Sequence, residues 1–277
     1  MRTPARRRFR RAVLTALAIA MTVVFIFPIY WIITLSLQDG VTSSSYPPRF
    51  FFTPTLTTYV ALFDTSGFGA VLVNTVQIAL GTTILALLLG TPAAYALARF
   101  RVGSAEQISF AILSVRMVPG YVAVLPLFML LQALNLFGSV VGVVIATSLV
   151  GVSFVIWMMR AFFAAVPQEL EEAAMIDGCS RLVALVRVVL PLVMPGLIAT
   201  GVFTAIGAWN EFVLVLILGG EAAKTMSVAL GGLVTEQRAE WGQLAAGGVM
   251  TMLPVLIFAV LVRRYFLSGI TAGSVNA

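Results

Sequence analysis

An all-α membrane protein with six transmembrane helices is encoded in this chain, and three observations lead to that reading. The composition is 60% hydrophobic and only 10% charged over 277 residues, with a mean hydropathy of +1.05, far from the balance of a soluble domain. Six apolar runs are each long enough to cross the ~30 Å hydrocarbon core, which takes about 20 residues of helix. The arginines and lysines alternate between the ends of those runs.

The runs are Ala12 to Leu37, Val71 to Ala98, Ile108 to Leu134, Val140 to Phe163, Met194 to Leu218 and Leu244 to Leu267. Six crossings put both termini on one side, and positive charge is retained in the cytoplasm. One side carries six arginines before the first run, then Arg99, Arg101, Arg160, Arg181, Arg187, Arg263 and Arg264; the other carries Arg49, Lys224 and Arg238. Thirteen against three, with Arg116 left inside the third run, predicts cytoplasmic termini.

The basic pI of about 10.1 then follows from topology rather than from nucleic-acid binding. Arg6 to Phe9 fits the RRxF core of a twin-arginine export signal. The apolar run behind it spans about 26 residues, too long for a signal core, and no small-residue cleavage site ends it. A retained first helix is expected. Cys179 is the one cysteine and histidine is absent. No disulfide within the chain, no metal site of the Cys/His kind, no histidine acid–base catalysis and no cofactor are expected.

Between the first two runs, Gln38 to Gly69 holds Pro47, Pro48 and Pro54 and reads as an irregular extracytoplasmic loop. The third and fourth runs are linked by only Asn135 to Ser139, which predicts antiparallel neighbours. A second external loop, Gly219 to Gly242, carries Glu221, Lys224, Glu236, Arg238 and Glu240 and has room for a short surface helix. Gly81, Gly90 and Pro92 in the second run, Pro119, Gly120 and Pro126 in the third, Gly201 and Gly207 in the fifth, and Gly247, Gly248 and Pro254 in the sixth predict close helix approach and kinks. No repeat of 20 to 50 residues is visible.

The polar exception is Pro167 to Pro191, between the fourth and fifth runs. Pro167 suits a first helical turn, and Glu169, Glu171 and Glu172 sit where a helix carries partial positive charge. Gly178 supplies a stop, Ser180 an N-cap for a second helix, and Pro191 its end. Leu170, Ala173, Ala174 and Asp177 follow the i, i+3, i+4, i+7 spacing and form one shallow face. Such a face fits a groove on another protein, while three glutamates oppose docking on an anionic leaflet.

The spacing Glu172-Ala173-Ala174, three residues, Gly178, nine residues, Val188, one residue, Leu190-Pro191 resembles the EAA signature of the membrane subunits of bacterial binding-protein-dependent ABC importers, with valine in place of isoleucine. Asp177-Gly178, Pro195, Trp209-Asn210-Glu211-Phe212, Trp241-Gly242 and Ser268 to Gly273 are similar to the carbohydrate-uptake branch, in particular its maltose-type second permease. The resemblance covers Val71 to Ala277; the ending Ser274-Val275-Asn276-Ala277 departs from the branch's usual tail.

The resemblance implies a type I importer permease fold. Residues 1–70 would be a basic segment, first helix and extracytoplasmic loop, residues 71–267 the transport domain with its coupling loop at 167–191, and residues 268–277 a cytoplasmic tail. It implies a place in the bacterial cytoplasmic membrane, surrounded by lipid. The partners it implies are a second homologous permease, a dimer of cytoplasmic ATP-binding subunits and an extracytoplasmic solute-binding protein, with no nucleic acid. Glu172, Ala173, Ala174, Asp177, Gly178, Leu190 and Pro191 would engage the ATPase. The chain is then a transport subunit, not an enzyme: its nearest approach to a phosphate-binding loop, Gly219 to Thr225, lacks the glycine before lysine.

Arg116 and Glu211 are charges inside the spans, with Asn210 beside Glu211; the two charges lie roughly 12 and 25 Å from the cytoplasmic side at about 1.5 Å per residue. Either they line the translocation path or its gate, or Arg116 pairs with a carbonyl or the partner permease and Glu211 reaches the outer interface. Trp209 reads as packing. An importer of a non-sugar solute such as glycerol phosphate is the alternative within the family; an ion-coupled secondary transporter predicts several intramembrane acids and an inverted repeat, of which only Glu211 is present.

Overall fold

The computed structural model describes residues 4–100, 105–114, 120–234 and 240–273. The described residues form two compact units, Met1–Phe68 with Leu230–Met252, and Gly69–Ala229 with Leu253–Ala277.

In the first unit, α1 (Pro4–Ser36) opens on five arginines and is apolar beyond them, and the most apolar stretch of this span has no buried residue, as expected of a helix solvated by lipid. The external loop is less irregular than its prolines suggest. It holds α2 (Gly40–Ser43), capped by Asp39, and α3 (Thr57–Ser66). Hydrogen bonds from the Thr42 side chain and backbone hold the Asp39 carboxyl below the ordinary carboxylate range. Gln38, 3% exposed, stitches the loop to the end of α1: its amide donates to the Arg49 carbonyl (3.2 Å) and its own carbonyl accepts from the Thr58 hydroxyl (2.6 Å). The start of α13 (Trp241–Gly273) brings Gly247 against Leu230.

The second unit is a helix bundle. It comprises α4 (Phe68–Arg99), α5 (Ala105–Ser114), α6 (Gly120–Ala133), α7 (Val140–Ala164), α8 (Glu169–Ile176), α9 (Arg181–Ala184), α10 (Leu190–Trp209) and α11 (Val213–Leu218), with α12 (Met226–Gly231) at its boundary. Ala86, Ala94 and Tyr95 of α4, Val155, Met159 and Phe163 of α7, Leu185 and Val189 just ahead of α10, and Val193 within it form one buried cluster. Small residues bring these helices close: a Cβ on Gly90 would stand 2.7 Å from Val155, so any side chain there forces α4 and α7 apart.

Among the described residues, five helices have the length and apolarity to cross a membrane. Four of the expected runs coincide with α1, α4, α7 and α13. The third is represented by α5 and α6; Arg116 and Pro119 lie outside the described residues, as do Glu236, Arg238 and the last four residues.

Two local expectations are revised. Pro191 does not end the second loop helix. A single wide π turn, Leu185–Val189, joins α9 to α10, giving one apolar helix over Arg181–Trp209. Proline is tolerated because its missing N–H falls in the first turn of α10, and the wide turn makes room for a ring that would otherwise meet the carbonyl four residues back. The fifth run does not continue unbroken to Leu218: it stops at Asn210 and restarts as α11. The third and fourth runs are neighbours, as their short link predicts: α5 packs on α7, while α11 packs on α6. Val124, Leu127 and Leu131 of α6 share a buried cluster with Ala146 of α7 and with Leu214 and Leu218 of α11, so the restarted segment joins the contact between α6 and α7.

Candidate functional site

The loop after α7 owes its shape to its helix ends. Pro167 stands ahead of the helix rather than in it, and Gln168 is the residue at the boundary. At the far end Asp177 is the C-cap, Gly178 has a φ of +92°, and the N–H groups of Gly178 and Cys179 donate back to Met175 (3.1 Å) and Ala174 (3.0 Å). This is a Schellman ending, in which a left-handed residue closes the helix and two otherwise orphaned carbonyls are satisfied. Ser180 accepts from the Val183 N–H at 3.4 Å and opens α9.

The three glutamates of α8 separate sharply. Glu171 is 3% exposed and enters an ion pair with Arg99 at the end of α4 (2.5 Å). Its second oxygen accepts from the Tyr95 hydroxyl (2.7 Å), and Arg99 also donates to the Val166 carbonyl (2.9 Å). Glu169 and Glu172 are exposed. Neighbours on a helix point about 100° apart, so when Glu171 turns inward Glu172 faces out. Sequence reasoning grouped the three as surface charge and missed the pair; its one signal was Arg99, a cation at the end of a span.

Of the signature residues, Glu172, Ala173, Asp177 and Gly178 lie together on the exposed side of the loop and Ala174 is half-buried. Ile176 (86% exposed) and Leu182 (70%) extend that surface. Leu190 instead packs against the α4–α7–α10 cluster, and Pro191 is exposed beside it. The loop thus offers an outward face of alanine, isoleucine and leucine with a carboxylate at each end of α8, and an inward face tied to the bundle.

A cavity of about 390 Å³ lies between α4, α7 and α10. Thr82, Thr147 and Thr204 line it with Gly151, Gly207 and Glu211, and Phe154 and Phe203 contribute rings 6.3 Å apart in edge-to-face contact. Thr82 and Thr147 hydroxyls are hydrogen-bonded to each other at 2.6 Å. Glu211 stands where the fifth span breaks, and its Oε1 accepts from the Leu214 N–H (3.0 Å). Asn210 is elsewhere engaged: its amide donates to the Ile206 carbonyl of its own helix (2.8 Å). Trp209 is 5% exposed, a packing residue. No cluster of metal-ligating side chains occurs among the described residues.

Long apolar helices, a cavity between them and an exposed two-helix loop are the parts of a membrane permease. Residues 86–270 match the family described as "Binding-protein-dependent transport system inner membrane component". The chain is 34% identical over 270 residues to a probable ABC transporter permease protein, y4oR, of Sinorhizobium fredii, covering 98% of this chain and 97% of that one. It is 32% identical to the trehalose transport system permease protein SugB of Mycobacterium tuberculosis (98% and 99% covered), and 31% identical to the diacetylchitobiose uptake system permease protein DasC of Streptomyces coelicolor (94% and 95%). Its fold matches a chain in the crystal structure of a bacterial ABC transporter involved in alginate import, with a TM-score of 0.77, 23% identity and 96% and 99% coverage. The chain therefore belongs to the binding-protein-dependent inner membrane component family: it is a multi-pass permease subunit of an ABC importer, and not an enzyme.

Proposed function

We propose that this permease carries a carbohydrate inward, through the cavity between α4, α7 and α10, and takes its drive from a partner ATPase seated on the outward face of the 167–191 loop. The observation that carries the cargo class is the cavity lining. Three hydroxyls and one carboxylate present acceptor oxygens that match sugar O–H groups, the hydroxyl protons being spent within the bundle, and two aromatic rings present apolar faces that match its C–H groups. The sugar-named relatives support the same class. Residues 71–267 serve as the transport domain, 1–70 as the added helix and extracytoplasmic loop, and 268–277 as a cytoplasmic tail. The working assembly contains a second permease, an ATPase dimer on the cytoplasmic side, where both termini lie, and an extracytoplasmic solute-binding protein.

Glu172 is the charge on the docking face, with Ala173, Ala174, Asp177 and Gly178 giving close approach around it, while Leu190 and Pro191 carry the loop into α10. A charge-assisted hydrogen bond contributes about 1.5–3 kcal/mol. Glu172→Lys is therefore expected to weaken ATPase capture roughly 10- to 100-fold, with little loss of the subunit's own stability because the side chain is exposed. Co-purification and binding titration of the ATPase check this; unchanged capture would sink the docking assignment.

Arg116, Asn210 and Glu211 are proposed for the pathway or its gate, Glu211 foremost because it lines the cavity. A cleaner probe is Gly207, which lines the cavity and where an added Cβ meets nothing within 4 Å. Gly207→Leu adds bulk beside the passage and improves helix propensity by about 1 kcal/mol. The expected result is a subunit at least as stable as the native one, assembled with its ATPase, with transport of the sugar bound by its solute-binding protein reduced about tenfold or more. Native transport rates in that variant would remove the cavity from the path.

A further inference from the structure

The docking loop is held to the bundle by more than its two covalent ends. Tyr95 and Arg99 end α4 and Phe100 follows it, and each engages the loop or its entry. Tyr95 donates to Glu171 (2.7 Å), Arg99 pairs with Glu171 and donates to the Val166 carbonyl (2.9 Å) at the exit of α7. The guanidinium of Arg181, first residue of α9, lies 5.2 Å over the Phe100 ring. One end of one helix thus grips both arms of the loop. Tyr95 is further locked by edge-to-face contact with Phe163 of α7 at 5.5 Å.

The ion pair is not surface decoration. Both side chains are 4% exposed, and three of its hydrogen-bonding directions are filled by fixed partners, the arrangement that keeps a buried pair from being a liability. Well-packed apolar residues would serve stability as well, so stability alone does not call for charge here. A directional, multi-point connection is what it adds. Thr82 of the cavity wall lies on the same helix, about 20 Å from Tyr95 at 1.5 Å per residue.

We propose that the Tyr95–Arg99–Glu171 cluster is a transmission joint: it makes α8 and α4 one rigid body, so that displacement of the loop by its partner moves the α4 wall of the cavity as well as α7 and α10, which follow through the chain. The three residues are positioning residues and touch no substrate. The inference rests on the proposed docking of an ATPase at the loop, and goes beyond it by naming α4 as the driven element.

The test is a distance measurement by pulsed electron paramagnetic resonance between labels at native Cys179 in the loop and at Leu80→Cys, exposed on α4, in a complex whose other cysteines are replaced. It is made on the complex purified with its ATPase, nucleotide-free and trapped with ATP and vanadate. With the native joint, one narrow distribution is expected that shifts by less than about 2 Å between states. In Arg99→Met/Glu171→Met, which removes both charges and strands neither, the ATPase still co-purifies and the trapped state shifts on the order of 5 Å, the scale of one helical ratchet, or broadens clearly. Tyr95→Phe, which removes one bond and no charge, moves the same way by less. The joint is overturned if the double variant matches the native distributions, or if the native loop and α4 separate as far as the variant's. Absence of a co-purifying ATPase with the native chain would instead sink the docking reading.

Discussion

Arg99→Met alone is expected to destabilise the subunit by about 3–5 kcal/mol, because it leaves Glu171 as an uncompensated buried carboxylate. At 3% exposure that carboxylate has no route to water that leaves α8 in place, and the Val166 carbonyl loses its donor. The measurement is thermal unfolding of the purified subunit, where this loss corresponds to about 10 °C in apparent Tm. Adding Glu171→Met to Arg99→Met should restore most of it, since the stranded charge is gone. The pattern separates a buried pair from a surface one: an exposed pair such as Lys224 with Glu221, at 3.3 Å and with the Glu221 side chain 90% exposed, should shift stability by no more than a few tenths of a kcal/mol when either partner is removed. A single Arg99→Met chain that melts within 2 °C of the native one would mean that the Glu171 carboxylate is solvated.

Gly178→Pro is expected to abolish ATPase capture altogether. Proline fixes φ near −65°, while Gly178 has φ +92° and donates its N–H to Met175. The substitution therefore removes the hydrogen bond and forbids the backbone conformation that turns α8 toward α9. Gly178→Ala is the graded control. It keeps the N–H, and a Cβ there meets nothing within 4 Å, so its cost is the left-handed conformation alone, roughly 1–2 kcal/mol. The alanine chain should assemble with weakened capture; the proline chain should insert in the membrane and carry no ATPase. Capture by Gly178→Pro at native strength would show that the bend between α8 and α9 is not part of the docking surface.

Much of the loop was legible from residue types because its signals are local. A glycine after an acidic first turn and a serine before the next helix act within a few residues of their own positions, and the Schellman ending and the Ser180 cap follow from them. Pro191 misled for the same reason: read locally, proline stops a helix, but the preceding π turn absorbs it. The third and fifth spans were harder. A run of apolar residues carries no mark of where backbone hydrogen bonding breaks, so the restart at α11 after Asn210 had no signal beyond the polar pair Asn210-Glu211. The cavity was half visible: Glu211 stood out as a charge in a span, whereas Thr82, Thr147 and Thr204 look like ordinary small helix residues until three helices bring them together.

By itself the sequence determined the membrane-spanning class and the helix ends of the 167–191 loop, because hydropathy and helix-end chemistry act over at most a few turns of chain. Only the tertiary structure decided that Glu171 turns in while Glu172 turns out, that α11 folds back onto α6, and that hydroxyls from α4, α7 and α10 share one cavity. Each of these depends on which surfaces meet across long stretches of sequence, as Arg99 meets Glu171 across 72 residues, and burial then fixes the meaning of a side chain whose identity alone leaves it open.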